Sequence, residues 1–455
     1  MKKNIPFVFN LFLFSHLVIW TLVPTFSNKN LPLDVIEALA WGSNLDWGFE
    51  KHPPLSAFFP ELFFQLFGNQ DWAYYLLSQI FIIFSFIIIF KLAKEFLKND
   101  SYALISVFLL EGIYFYNFTT PEFNVNVCQI PFWTLTIYYA WQSFKTDKTS
   151  DWVLFGLFAA LGVLSKYLFV YLLIGIKFFF IFYLIKNKKF NFKYFIPILV
   201  FLLVLSPHFI WLIENNYKTI IYGLKRTSLE ESNILSHLIY PLKFIFKQVG
   251  ILLPFFALLG LILKKYKFKI NYRDERSVFL ISISLAPIFL MLITSLIFGA
   301  NIRTMWMTPF YLFFGLFFIY HFKSSINSNY LKRFMICFLF IFILSPAVYL
   351  YVSISKDNKR TDYPGKEIAE LVQNRWNKNF TNRIAIVVGD EWLAGNLSYH
   401  LQSRPMWFNN ISSKLQDLKI KGGVIYVGNK NILKSVCPGE FGSINRQGIC
   451  MIGSR

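Results

Sequence analysis

Charge is scarce in this sequence. Only 15% of its 455 residues are Asp, Glu, Lys or Arg, while 55% are hydrophobic, whereas a soluble domain ordinarily carries about a quarter charged residues. A single soluble globule is thereby excluded. Acids are scarcer still: 25 Asp and Glu stand against 45 Lys and Arg, a formal charge of +20. In a soluble chain that excess would suggest nucleic acid, but here much of it sits in short loops between apolar runs and reads as a topology signal. No nucleic-acid partner is expected. The sequence also lacks a G-x-x-x-x-G-K-[ST] loop and a dinucleotide fingerprint, so cytoplasmic nucleotide chemistry is not supported. His208 and His237 are scattered and no close H-x-x-x-H pair exists. No essential metal and no cofactor are expected. No internal repeat is evident, and the 55 Phe read as compositional bias without functional weight.

What is abundant is apolar runs near the roughly 20 residues a bilayer core requires. They fall at about 5–24, 72–94, 101–118, 127–144, 152–167, 168–185, 194–213, 246–264, 278–298, 306–322 and 332–352, which gives eleven spans. The fifth and sixth share one apolar stretch and are divided at Lys166, because a Lys deep in lipid costs several kcal/mol. With the N-terminus (Lys2, Lys3) cytoplasmic, basic residues crowd every inner loop: Lys91, Lys94 and Lys98; Lys145 and Lys148; Lys186, Lys188, Lys189 and Lys193; Lys264 to Arg276; and Lys323, Lys332 and Arg333. The segment from Asn117 to Asn126, on the opposite side, has none. The positive-inside rule then places the C-terminus outside. The first span lacks a small-residue cleavage site and is expected to be retained.

From about Ser353 the apolar runs shorten and charge rises. IAIVVG (384–389) and GGVIYVG (422–428) read as short buried strands, and KEIAELVQNRW (366–376) as a helix packed on them. The expected architecture is a polytopic α-helical membrane domain over 1–352 and a small α/β domain over 353–455. Cys128 and Cys337 fall in spans as packing residues. Cys437 and Cys450 share the outward domain, where a bridge is feasible and contributes about 3 kcal/mol; two free thiols are the alternative.

The first outward loop, Leu31 to Phe59, concentrates Asp34, Glu37, Asp46, Glu50, Lys51 and His52 beside the bilayer. Pro53 and Pro54 precede an apolar stretch too short to span, expected in the interface. By default such polar residues are simply solvated.

The spacing from Asp34 to D-W-G (Asp46 to Gly48), followed by F-E-K-H-P-P-L, resembles the first periplasmic loop of bacterial glycosyltransferase family 39. These lipid-linked-sugar transferases of the GT-C superfamily are related to protein mannosyltransferases and to the aminoarabinose transferase of lipid A. T-T-P-E (Thr119 to Glu122), L-S-K-Y (Leu164 to Tyr167), S-P-H-F-I-W (Ser206 to Trp211), YPGKEIA (363–369) and GDEWLAGNLSYHLQSRP (389–405) resemble further stretches of the family or of one bacterial branch. Many members have Asp-Glu at Asp34-Val35, and often Asp-His-Pro-Pro at Lys51-His52-Pro53-Pro54, so fine specificity does not carry over.

The resemblance implies a bacterial inner-membrane enzyme that moves a hexose or pentose, with inversion, from an undecaprenyl-type polyprenyl phosphate to an acceptor at the periplasmic face. Lipid A or lipopolysaccharide is the first expected acceptor and a protein hydroxyl the second. Asp34 aligns with the family's catalytic Asp. The chemistry needs cations for the departing phosphate and a carboxylate to deprotonate or orient the acceptor. Lys51, with His52, is the first phosphate candidate, and Lys166 and Arg303 follow. Glu122, Glu50 and Arg226 are candidates for the acceptor side. A transporter of lipid-linked saccharide is the rival reading, but it would place charges near the midplane in two corresponding halves. A third reading, membrane assembly through the C-terminal domain, would make that domain alone sufficient. Alkaline phosphatase fused after Lys356 is expected to be active; an inactive fusion at normal expression would shift the span count by an odd number.

Overall fold

The eleven apolar runs fold mainly as helix, since a backbone in lipid must satisfy its hydrogen bonds within its own segment. The structure, a computed structural model, describes residues 4–188, 190–227, 233–410, 422–444 and 446–455; Lys2, Lys3 and Lys189 lie outside them. Among the described residues seven helices are long and apolar enough to cross a membrane: Ile5–Ser27, Asp71–Leu97, Tyr167–Asn187, Phe192–Glu214, Ser236–Ile262, Glu275–Phe298 and Leu331–Ser355. The pair Thr304–Tyr311 and Phe314–Phe322, bent by 51°, makes an eighth if counted as one span.

The other three expected spans are shorter. Ile130–Thr146 and Thr149–Ser165 have 17 residues each, and Asp100–Phe108 loosens into 3-10 turns as far as Tyr116. Gly112, in this looser stretch, permits a close approach: a Cβ there would sit 2.7 Å from the Cα of Phe255 on a neighbouring helix. The division at Lys166 is visible in the backbone: the helix ends at Ser165, and Lys166 is extended at φ −165°.

Two shorter helices lie between the first two long ones. Leu55–Phe67 follows Pro53 and Pro54 as the short apolar stretch. Leu33–Gly42, by contrast, is helix where the sequence reads as loop. Its signal is local: Pro32 immediately before it, Asp34 in the first turn, and Val35, Ile36, Leu39 and Ala40 at helical spacing.

The C-terminal part carries five strands: β1 (Ile384–Val388), β2 (Met406–Phe408), β3 (Gly423–Gly428), β4 (Glu440–Ile444) and β5 (Gln447–Ile452). Their order is β2-β1-β3-β5-β4, with β1 parallel to β2 and β3, and β5 antiparallel to β3 and β4. Helix Gly365–Asn379 sends Ile368, Val372 and Trp376 into the core under the sheet. β2 is only three residues long, and β4 and β5 contain glycines that obscure alternation, so these three strands had no clear sequence signal. Cys437 and Cys450 are disulfide-bonded. Among the free cysteines, Cys128 is buried and Cys337 is half-buried.

This sheet unit is docked on the short Leu33–Gly42 helix by helix Leu393–His400. Asn30 donates to Asn396 at 2.9 Å, and Tyr399 donates to Asp71 at 2.7 Å. Arg404 reaches Glu61 at 2.7 Å and the Leu39 carbonyl at 2.6 Å, with both side chains of the ion pair largely buried. Truncating one partner of a buried pair strands the other charge and costs about 3 kcal/mol or more. Arg404→Met is therefore expected to lower the thermal midpoint in detergent by several degrees, with partial recovery in the double variant Arg404→Met, Glu61→Gln. An unchanged midpoint in Arg404→Met would show that the pair does not seat the domain.

Candidate functional site

Asp34 occupies the first turn of the Leu33–Gly42 helix, and its backbone N–H donates to Glu122 Oε1 at 3.2 Å. Glu37 stands nearly one turn further on, and Lys51 from the following loop reaches it at 2.9 Å. The loop is pinned from behind. Gly48 of the D-W-G motif lies flat against Trp211, where a Cβ would fall 2.4 Å from the indole. His208 bonds the Trp47 carbonyl and the Tyr167 hydroxyl, and Thr219 donates to the Phe49 carbonyl. Segments far apart in sequence, D-W-G, L-S-K-Y and S-P-H-F-I-W, are thus one packed unit.

These elements enclose a cavity of about 700 Å³ lined by Asp34, Glu37, Lys51, His52, Lys166, Arg226 and Arg303. Four cationic side chains face two carboxylates in it. Lys166 is buried, donates to Asn126 and lies 5.5 Å above the Trp306 ring. Arg226 lies against Tyr222 at 5.9 Å. Burial and the neighbouring Arg226 charge lower the pKa of Arg303.

The titrating groups share one cause. Burial raises the pKa of Asp34, opposed by the charges of Lys166 and Lys51. Burial and the Asp34 charge push Glu122 up to about 8. Burial also raises Glu37. Burial pulls Lys51 down, but Glu37 and Glu391 together hold its ammonium above the usual value. His52 is driven down to about 3 by burial and by Lys166 and Lys51, so it serves a ligand as a neutral hydrogen-bonding ring.

Of the residues singled out from sequence, Asp34, Lys51, His52, Lys166, Arg226 and Arg303 line this cavity, and Glu122 adjoins it through Asp34. Glu50 does not: it is exposed and outside the lining, because the turn that buries Phe49 and presents Lys51 directs it to solvent. Sequence reasoning missed Glu37 and Glu391 as partners of Lys51. For Glu37 a signal existed, its spacing of three from Asp34 on a helix; for Glu391 there was none. Among the described residues no three His, Cys, Asp or Glu side chains are grouped to hold a metal ion.

Residues 51–211 match the family model described as dolichyl-phosphate-mannose-protein mannosyltransferase; Asp34 lies just before that stretch. No curated protein matches the chain in sequence. The crystal structure of ArnT from Cupriavidus metallidurans bound to undecaprenyl phosphate is similar with a TM-score of 0.61 at 12% identity, covering 97% of each chain, and its apo structure gives the same values. AglB from Archaeoglobus fulgidus, in complex with an inhibitory peptide and a dolichol phosphate, gives a TM-score of 0.45 at 9% identity, covering 91% of this chain and 69% of that one. The likeness to ArnT is one of fold, and the protein is a multi-pass membrane protein of that fold with a small C-terminal sheet domain. Fold and family model together support a membrane glycosyltransferase.

The Lys166 charge is the first of the influences that oppose the upward shift of Asp34. Lys166→Met is therefore expected to raise the titration midpoint of the Asp34 carboxyl further, followed by isotope-edited infrared difference spectroscopy of purified protein. A downward or absent change would show that the two side chains do not sense one another.

Proposed function

We propose that the protein transfers one sugar, with inversion, from a polyprenyl phosphate donor of the undecaprenyl type to an acceptor at the outer face of a bacterial inner membrane. The observation that carries this reading is the cavity in which Asp34 faces Lys51, Lys166, Arg226 and Arg303 beside the apolar helices. We take residues 1–352 as the catalytic membrane unit, with a cytoplasmic N-terminus, and 353–455 as a periplasmic unit. The ArnT likeness with undecaprenyl phosphate and the mannosyltransferase family model support the choice of donor class.

In this reading the acceptor oxygen attacks the anomeric carbon as the bond from that carbon to the phosphate oxygen breaks. The phosphate leaves with the bonding electrons, and its growing charge is met by Lys51, Lys166 and Arg303, with Arg226 on the acceptor side. The proton of a neutral acceptor hydroxyl passes to Asp34; a phosphate acceptor is already anionic, and Asp34 then only orients. Glu122, protonated near neutral pH, adds no second negative charge beside Asp34. Lipid A or lipopolysaccharide is the favoured acceptor and a protein hydroxyl the second.

The test is transfer from synthetic polyprenyl phosphate sugar by purified variants. Lys51→Ala is expected to lose about a hundredfold or more in rate, as for deletion of an oxyanion-stabilising contact, together with donor affinity. Asp34→Asn is expected to bind donor but to lose about a hundred- to ten-thousandfold with a hydroxyl acceptor. Wild-type turnover in Asp34→Asn would remove it as the base. Translocation of lipid-linked sugar without any transfer would favour a transporter.

A further inference from the structure

Lys51 does not stand free at the cavity mouth. Its ammonium is 2.9 Å from Glu37 and 3.2 Å from Glu391, and these carboxylates come from different parts of the protein. Glu37 shares the short helix of Asp34. Glu391 comes from the loop after β1, and that loop is built to hold its position. Gly389, at φ 154°, passes so close to β3 that a Cβ would lie 2.4 Å from the Val427 carbonyl. The Trp407 indole donates to the Gly389 carbonyl at 3.1 Å. Asp390 accepts from the N–H groups of Trp392 and Leu393 at 2.9 and 2.6 Å, capping the turn on either side of Glu391. Trp392 is fixed in turn by Tyr363 and Arg360, each 5.3 Å away.

One ammonium between two carboxylates leaves the group net negative, at the point where a donor phosphate has to approach. An arriving phosphate competes with both for the same cation. Glu37 makes the shorter contact, from the helix that carries Asp34. Glu391 makes the longer contact and comes from the sheet unit, so it is the contact that can be given up.

We propose that Glu391 is a positioning residue of the donor site: it holds Lys51 against Glu37 while the site is empty, and the donor phosphate displaces it. Donor binding and the seating of the sheet domain over the site are then coupled, and by linkage each weakens the other equally. This rests on the assignment of Lys51 to the donor phosphate made above.

The experiment is equilibrium binding of sugar-free polyprenyl phosphate to the purified full-length protein in detergent. Glu391→Gln, which keeps the shape and removes the charge, is expected to bind about fivefold tighter or more, the lower end of typical coupling between sites. A merely structural role predicts the opposite, a loss of affinity. Glu391→Asp, which keeps the charge, should bind as wild type, and Glu391→Ser provides a second neutral variant should the Gln form not fold. In a Lys51→Met background, Glu391→Gln should change nothing. Unchanged or weaker binding in the neutral variants would overturn the proposal, as would an equal gain in the Lys51→Met background, which would reduce the effect to general charge at the cavity mouth. If folded wild-type protein does not bind polyprenyl phosphate, the donor assignment falls and this inference with it. If wild type binds and the neutral variants show no gain, only this inference falls.

Discussion

A carboxylate taken out of water is costly unless cations or hydrogen-bond donors face it, and Asp34 is such a carboxylate. Its compensation comes from Lys166 at the break between two membrane helices, from Lys51 in the next loop and from Asn124 before another helix. None of these is near Asp34 in sequence except Lys51. The position of the Leu33–Gly42 helix therefore fixes, and is fixed by, the way three parts of the bundle end at one level. The extended Lys166 makes sense in this light: the helix stops at Ser165, and the residue at the break sends its ammonium into the cavity.

The same cavity gathers Lys51, Lys166, Arg226 and Arg303 around Asp34 and Glu37. Burial and the neighbouring Arg226 charge depress Arg303, and Lys166 has an amide and an indole face as near neighbours. Under the proposed function this arrangement receives a lipid-borne phosphate, in a cavity whose other walls include the apolar Leu168, Tyr171, Phe298 and Trp306. Preorganised cations of this kind act where charge develops on a leaving group, because they need no reorganisation at that moment.

The sheet domain is part of this economy of charge. It packs on the Leu33–Gly42 helix and is tied around it, Arg404 to the Leu39 carbonyl and Glu61, Asn396 to Asn30 and Tyr399 to Asp71. Gly395 allows the close approach, since a Cβ there would meet Ile36 at 3.1 Å. The Leu33–Gly42 helix is thereby held between helix Asp71–Leu97 and the sheet unit.

The sequence alone determined the eleven helical runs, the break at Lys166, two strands and the helix under them, because bilayer-length apolar runs, a charge in a long apolar stretch and glycine-bounded buried strands are local signals. It also marked Asp34, Lys51, Lys166 and Arg303, by residue type and by a resemblance carried in short motifs. Tertiary structure decided that Glu37 and not Glu50 meets Lys51, although the spacing of Glu37 from Asp34 was a local signal. In a segment read as loop, neighbouring acids are equivalent; once Leu33–Gly42 is helix, Glu37 shares the face of Asp34, while the turn at Phe49 sends Glu50 to water. Glu391 was decided only by docking: nothing in local periodicity records which strand end comes to rest beside a loop from the opposite end of the chain, and that depends on the packing of the whole.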